Sequence, residues 1–571
     1  MEWNLKEFFK DAKEFDSFVD RVKKDGVDFK RKFAGNLANL SVEEFLKALD
    51  EYEKISQDCA KIATFAYLNF AKDTSKGANL AKSRQICNEI GENLLFFNIE
   101  FNKLDDEISN KFIDGSDKYS YYLNLVKKSA KHQLSLKEEE ILLKTSPVGV
   151  SAFARLFDET MANLRFEFRG ESLKEEEILS KLSHPDRSVR KDAAISLSKT
   201  LNENLHLLTY ILNMVRTDLD IETKLRGYEH KESYMHENNQ ISKASVDALI
   251  GACEANFDIS HRYYSKKREI LGFEKLYDYD RYAPFSSDEG EISYEESKEI
   301  VLKSFSEFSP KFGELAKKAF DENWIDVYPS QNKTGGAFSH SAISSVHPFV
   351  LLNFTKTRRD LFTLAHELGH AIHQHLAYKV GYLNSDTPLT TAETASVFCE
   401  MLVFQSVVEK IKDPKEKQAL LGSKIEDIFA TLFRQINFTT FEREIHSKDG
   451  ELSTDDINEI WMKHSVKMFK DSLELNDYYK IWWSYIPHFI HTPFYCYAYS
   501  YAQLLVLSLF ALYKSGKLAN FSEIYTEFLS LGGSKNPKDM VLKFGLDIES
   551  KEFWQIGLNE VKKLVDEFER L

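Results

Sequence analysis

Leu364-Ala365-His366-Glu367-Leu368-Gly369-His370-Ala371-Ile372-His373-Gln374 is the stretch from which the rest of this chain is read. It holds His-Glu-x-x-His inside a run whose apolar residues Leu361, Leu364, Ala365, Leu368, Ile372 and Leu376 keep a helical period. Residues four apart share a helix face, so His366 and His370 can point at one ion, with Glu367 one position round beside it. Two imidazoles and an adjacent carboxylate are the groups needed to hold zinc and to move a proton during attack on a carbonyl. Thr357 with Asp360 predicts an N-terminal capping pair and Gly381 a stop, which places the motif well inside one helix. The competing reading is a pair of satisfied core histidines with Glu367 on a solvated edge. It leaves unexplained why three such polar groups sit together in an apolar run.

A catalytic zinc site needs three protein ligands and one open position. Thr390-Thr391-Ala392-Glu393-Thr394-Ala395-Ser396-Val397-Phe398-Cys399-Glu400-Met401 predicts a second helix, whose small residues let it lie close to the first. Glu393 and Glu400 are seven apart and share a face. Glu393 is the expected third ligand, and Glu400 is placed to orient a ligand histidine from behind. Thr390-x-x-Glu393 also reads as a capping box that needs no metal; the helix ahead of it favours the ligand. His373 follows His366 by seven and faces the same way. As a fourth ligand it would close the site, so a supporting or packing role is expected instead.

The run His366-Glu-Leu-Gly-His-Ala-x-His373 followed by Glu393-Thr-Ala-Ser-x-Phe-x-Glu400 resembles the oligoendopeptidase F branch of the thimet oligopeptidase family of zinc metallopeptidases. Lys333-Thr-Gly-Gly-Ala-Phe338 and His347-Pro-Phe-Val-Leu-Leu-Asn-Phe-Thr355 resemble that family's segment ahead of the zinc helix. Ile486-Pro-His488 with Pro493-Phe-Tyr-Cys-Tyr497 resembles its aromatic C-terminal motif, and Leu531-Gly-Gly-Ser534 with Pro537 its closing glycine loop. The resemblance runs in order from about Leu182 to the C-terminus and is most specific over 333–400. It implies one Zn2+ per chain on His366, His370 and Glu393, with Glu367 as general base. It further implies a mainly α fold, two helical lobes flanking a deep substrate channel, and restriction to short oligopeptides. A His and one or more Tyr of the late aromatic segment are implied to act on the substrate.

Which of them act is left open by the residues. Tyr478 to Tyr501 contains Trp482, Trp483, Tyr485, His488, His491, Tyr495, Tyr497, Tyr499 and Tyr501. Thr492-Pro493 predicts a helix start, with Tyr495 and Tyr499 on one face and Tyr497 and Tyr501 on another. His488 and Tyr497 are the expected donors to a developing oxyanion, with Tyr495 and Tyr499 next as substrate contacts; core packing competes for each tyrosine. Gly335 and Gly336 either let a substrate backbone approach as an added edge strand or form an ordinary turn. For His340 and His347, in the same region, substrate contact and surface exposure are both open, with exposure favoured.

The whole chain bounds these readings. Its 571 residues can bury large cores, and 43% hydrophobic with 29% charged residues is ordinary for a soluble globular protein. Few breakers, 11 prolines and 23 glycines, favour helix. Helices are expected at 16–29, 41–55, 60–70 and 189–214, a short strand at 163–169, and polar breaks at 277–284 and 286–290. The β-like pieces at 324–329, 335–338 and 348–354 predict a small sheet beside the zinc helix. The division expected is an N-terminal helical lobe, 1–180, and a zinc metallopeptidase domain, 181–571. A net charge of −15 argues against nucleic acid as a partner. The scattered Cys59, Cys87, Cys253, Cys399 and Cys496 suit reduced thiols in a cytoplasm, the N-terminus is too charged for a signal peptide, and no apolar run is long enough for a membrane. The function expected is zinc-dependent hydrolysis of internal bonds in oligopeptides. The rivals are a zinc carboxypeptidase of similar helical fold, which needs a cation for the terminal carboxylate, and a non-catalytic peptide-binding scaffold, which has no use for Glu367.

Overall fold

Helix starts follow from short polar side chains that accept a hydrogen bond from the first free backbone N–H groups. Ser41, Ser293, Thr357 and Ser453 each form a full capping box with an acid three residues on. The computed structural model describes residues 2–286 and 290–571; Ser287, Asp288 and Glu289, within the expected polar break, lie outside the described residues. The chain is 72% helical with two small sheets, as the resemblance implied for fold class.

Packing groups the chain into two compact units. One is Met1–Lys131, Glu289–Ser406 and Ala519–Phe544; the other is His132–Asp288, Val407–Leu518 and Gly545–Leu571. This grouping interleaves segments, whereas a boundary near residue 180 separates consecutive ones.

In the first unit the helices expected at 41–55 and 60–70 are one, Val42–Lys72, because nothing between them breaks the helix. Its Phe45 and Leu49 are buried in a core with Val22, Phe97, Phe101 and Phe112, where the Phe45 and Phe112 rings stack at 4.0 Å. The expected sheet forms from three short strands, β3 (Ile325–Asp326), β4 (Phe338–His340) and β5 (Phe349–Leu351), which follow β1 (Phe166–Phe168) and β2 (Glu171–Leu173) in the chain. β5 is central, parallel to β3 and antiparallel to β4, with Ser339 opposite Val350. β4 is therefore an edge. Trp3 ties the chain start to this sheet, its Nε1 donating to the carbonyls of Trp324 (2.9 Å) and Val350 (3.0 Å).

In the second unit β1 (Phe166–Phe168) and β2 (Glu171–Leu173) form a hairpin. Arg169 (φ 51°) and Gly170 (φ 88°) both take the left-handed region, which a two-residue turn between twisted strands requires. The long helix expected at 189–214 is two, Arg187–Glu203 and Leu205–Leu225, parted at Asn204. They pack on a core that includes Leu197, Leu208, Trp461, Trp482 and Phe489. The apolar run near 504–512 lies in helix Tyr497–Lys514 against helix Lys551–Arg570. Gly557 makes their close approach possible, since a Cβ there would stand 2.8 Å from the Leu504 carbonyl oxygen. Among the described residues no helix is long and apolar enough to cross a membrane. All five cysteines are free thiols.

Candidate active site

The motif occupies helix Arg358–Ala377. Thr357 caps it, Asp360 N donating to Thr357 Oγ1, while Asp360 Oδ2 accepts from the backbone N of Thr355 and Thr357 at 2.9 Å. The helix ends at Ala377, and after one tight turn Gly381 takes φ 86°, so the expected stop lies just past it. Glu393 stands at the C-cap of a short helix, Leu389–Ala392, directly before helix Thr394–Val408. Thr390 falls inside the short helix, so the box that would have explained Glu393 without a metal does not form.

Gly369, between the two histidines, is where the segments meet. A Cβ there would lie 2.6 Å from the Ala395 carbonyl oxygen and 2.7 Å from Ser396 Cα. Because the obstacle is backbone, Gly369→Ala must push the Glu393 segment away. It is expected to cost about 1–3 kcal/mol in thermal or urea unfolding, as overpacking does, and to weaken metal retention as well.

The geometry that results is convergent. Nε2 of His366 and Nε2 of His370 each lie 3.3 Å from Glu393 Oε2, and one ligand atom from each of the three lies within 4.8 Å of the others. Ligands at about 2.0–2.1 Å around a tetrahedral ion stand about 3.3 Å apart, so the donor set fits zinc in number, type and spacing. Behind it, His366 Nδ1 meets Glu400 Oε2 at 3.1 Å, and Ser396 Oγ donates to Glu393 Oε2 at 2.7 Å. A proton on Nδ1 held by Glu400 leaves the Nε2 lone pair free for a cation. Glu400→Gln is expected to lower metal affinity by about 10–100-fold, measured by chelator competition.

Burial alone would lower the His366 pKa, but hydrogen bonds and attraction from Glu393 and Glu400 raise it to about 10. Burial likewise pushes Glu393 up, and the two imidazoles overcome it and hold the carboxyl well below its usual range. Glu367 is buried at 7% exposure, and burial raises its pKa despite the opposing pull of His366 and His370. His373 is buried and lowered to about 4, first by desolvation and then by His370, which suits a neutral supporting ring.

These groups line a cleft of about 810 Å³. β4 borders it, and Ser339 is tied to the motif helix by Gln374, with Ser339 Oγ donating to Gln374 Oε1 at 2.8 Å. His340, expected to be exposed, is half-buried on the cleft wall 5.3 Å from the Tyr67 ring, and burial lowers its pKa to about 4. Gly335 and Gly336 are exposed, just outside a lining that begins at Ala337; Gly336 takes φ 77°, and its carbonyl accepts from Asn353 Nδ2 at 2.8 Å. Gln57, Ala60 and Thr64, from the N-terminal helix, also line the cleft, as does Asp386. No motif marked these residues. The glycine loop at 531–534 supports Asp386: Gly533 N donates to Asn384 O at 2.7 Å, and a Cβ on Gly533 would lie 1.9 Å from Asp386 O.

The late aromatic residues belong to the second unit. The helix expected to start at Thr492-Pro493 starts instead at Tyr497, because Phe494 is left-handed (φ 63°) and its N donates to Glu442 Oε1 at 2.9 Å. His488 and Tyr499 meet, Nε2 to Oη, at 3.1 Å, and the Tyr495 ring lies 5.0 Å from that of Tyr499. Tyr497 is placed differently from these three: it is fully buried, and its hydroxyl is held by His236 Nδ1 (3.0 Å) and Asn239 Nδ2 (2.9 Å). Tyr501 is buried on the same face.

Residues 180–560 match the family model described as Peptidase family M3, and residues 100–166 match that described as Oligopeptidase F. The chain belongs to peptidase family M3. Membership of M3 makes it a metalloendopeptidase by class. The chain is 26% identical to Oligopeptidase PepF of Bacillus subtilis (strain 168) over 100% of its own length and 87% of the relative's. It is 27% identical to an Oligoendopeptidase F homolog of Lactococcus lactis subsp. lactis (strain IL1403), covering 100% and 97%. In fold it is similar to a crystal structure from Chlamydophila abortus, with a TM-score of 0.88 at 23% identity over 100% and 98% of the two chains.

Proposed function

We propose that this M3 peptidase is a zinc-dependent endopeptidase that cleaves internal bonds of short oligopeptides in the cytoplasm, with His366, His370 and Glu393 as metal ligands and Glu367 as general base. The observation that carries the reading is the convergence of both Nε2 atoms on Glu393 Oε2 at the wall of a cleft that also holds the buried Glu367. Zinc bound there supplies Lewis-acid polarisation and lowers the pKa of a water from about 15.7 to about 7.

The chain's own groups do the rest. Glu367 takes the proton from the attacking water and delivers one to the departing amine; a carboxyl raised by burial suits both halves of that exchange. β4 is an edge strand along which an extended peptide can lie, with the Ser339 carbonyl already accepting from Gln374 Nε2 (3.2 Å), and Gly335 and Gly336 leave the approach to it without side chains. His488 and Tyr499 are the proposed donors to the oxyanion, with Tyr495 packed beside them as a substrate contact. Tyr497 is the other expected donor of this segment; its buried hydroxyl is held by His236 and Asn239.

An internally quenched peptide blocked at both ends tests the reading. Cleavage at an internal bond is the expected result. Cleavage only when the C-terminus is free would point to a carboxypeptidase, and cleavage of neither to a binding scaffold.

A further inference from the structure

The second unit contains two guanidinium groups that form no ion pair with any described acid. Arg281 is 5% exposed, and Arg434 is half-buried beside it. Arg187 and Arg190 share Asp280, and Lys267 takes Glu426; Asp278 acts on Arg281 at longer range, with Oδ1 held by Asn476 and Oδ2 without a hydrogen-bond partner. Among the described residues neither Arg281 nor Arg434 has a carboxylate within ion-pair distance. Their hydrogen bonds go only to neutral phenols. Arg281 Nη1 donates to Tyr479 Oη (3.3 Å), and Arg434 donates to Tyr282 Oη (3.1 Å) and Tyr485 Oη (3.5 Å). Arg281 Cζ also lies 4.6 Å from the Tyr282 ring centroid, and its Nε is buried with no hydrogen-bond partner.

Burying two like charges together without a direct ion pair is costly. A fold that retains such a pair gains from an anion that binds there. The phenols add to the case, because a hydroxyl oxygen that accepts from a guanidinium keeps its own proton for an incoming oxygen. Tyr282, Arg434 and His488 are each half-buried. The field of the pair reaches the proposed substrate-contact segment: burial, then the charges of Arg434 and His491, lower the His488 pKa.

We propose that Arg281 and Arg434, with Tyr282 and Tyr485, form a binding site for a carboxylate of the peptide substrate. The carboxylate comes either from the peptide's C-terminus or from an acidic side chain. That the ligand is a peptide rests on the peptidase reading; that the site takes a carboxylate does not.

The test titrates peptides of one sequence, by calorimetry, into the zinc-loaded Glu367→Gln chain, which holds peptide without turning it over. The peptides carry a C-terminal acid, a C-terminal amide, or an amide with one internal Gln replaced by Glu. At least one carboxylate-bearing form should bind about tenfold or more tightly than the neutral amide, as hydrogen bonds to charged groups allow. Arg434→Gln should bring that ratio near one, and Arg434→Lys should keep part of it. Which form is favoured identifies the C-terminus or the side chain as the source. Arg434 is the informative position because it is only half-buried; Arg281→Met is read only if its circular dichroism matches the parent. Equal binding of all three peptides, or a ratio that survives Arg434→Gln, would overturn the proposal.

If no peptide binds, acetate titrated at constant ionic strength decides. Trp482, with its ring 4.9 Å from that of Tyr479 and 6.2 Å from that of Tyr485, reports through its fluorescence. A saturable change lost in Arg434→Gln supports the site, and no saturation rejects it. Failure of the parent chain to cleave any blocked peptide would instead count against the peptidase reading, and leaves both readouts intact.

Discussion

Glu367→Gln is expected to lower kcat on a blocked peptide by about 10²–10⁴-fold, the range over which positioned general bases act, with zinc content and KM little changed. The substitution keeps the shape of the side chain and removes its ability to accept a proton. Glu367 is 7% exposed, and its burial already favours the uncharged form, so a neutral amide there should be tolerated by the fold. Glu367 is also absent from the ligand cluster, which comprises His366, His370 and Glu393. Loss of turnover should therefore separate from loss of metal. Equal kcat in parent and variant would remove Glu367 from the reaction; a parallel loss of zinc would make it part of the metal site.

Glu393→Ala should have the larger effect on the metal. Glu393 Oε2 is the atom on which both histidines converge, each at 3.3 Å, and its removal leaves two imidazoles with no third ligand. The loss of zinc affinity should exceed the about 10–100-fold typical of an outer partner such as Glu400, so dialysis that leaves the parent loaded should empty the variant and abolish cleavage. Stripping the parent with a chelator should have the same effect, reversed by added Zn2+. Metal content by atomic emission, taken beside activity, checks both. A Glu393→Ala chain that keeps its zinc and its turnover would require another residue in that place.

The candidate metal cluster was legible in the sequence because its information is local. Helical spacing alone puts His366 and His370 on one face, and a capping residue and a positive-φ glycine bracket their helix. Glu393 and Glu400 could be read because they follow within one further helical stretch and meet the same imidazole from two sides. The aromatic segment was legible only as a group. Its helix starts at Tyr497 rather than Pro493 because Glu442, distant in sequence, captures the N–H of Phe494. That capture, with the bonds from His236 and Asn239, puts Tyr497 inside while His488 and Tyr499 pair.

From its residues alone, the chain thus specifies a mainly helical fold and a set of candidate metal donors, with its motifs resembling those of a peptidase family, since period, caps and ligand spacing are properties of neighbouring residues. Tertiary structure alone brings Gln57, Ala60 and Thr64 to the wall of the same cleft and, among the described residues, pairs Arg281 and Arg434 with phenols rather than with carboxylates. Such placements depend on which distant segments share a core, and on which charges have already found partners, and no local pattern encodes either.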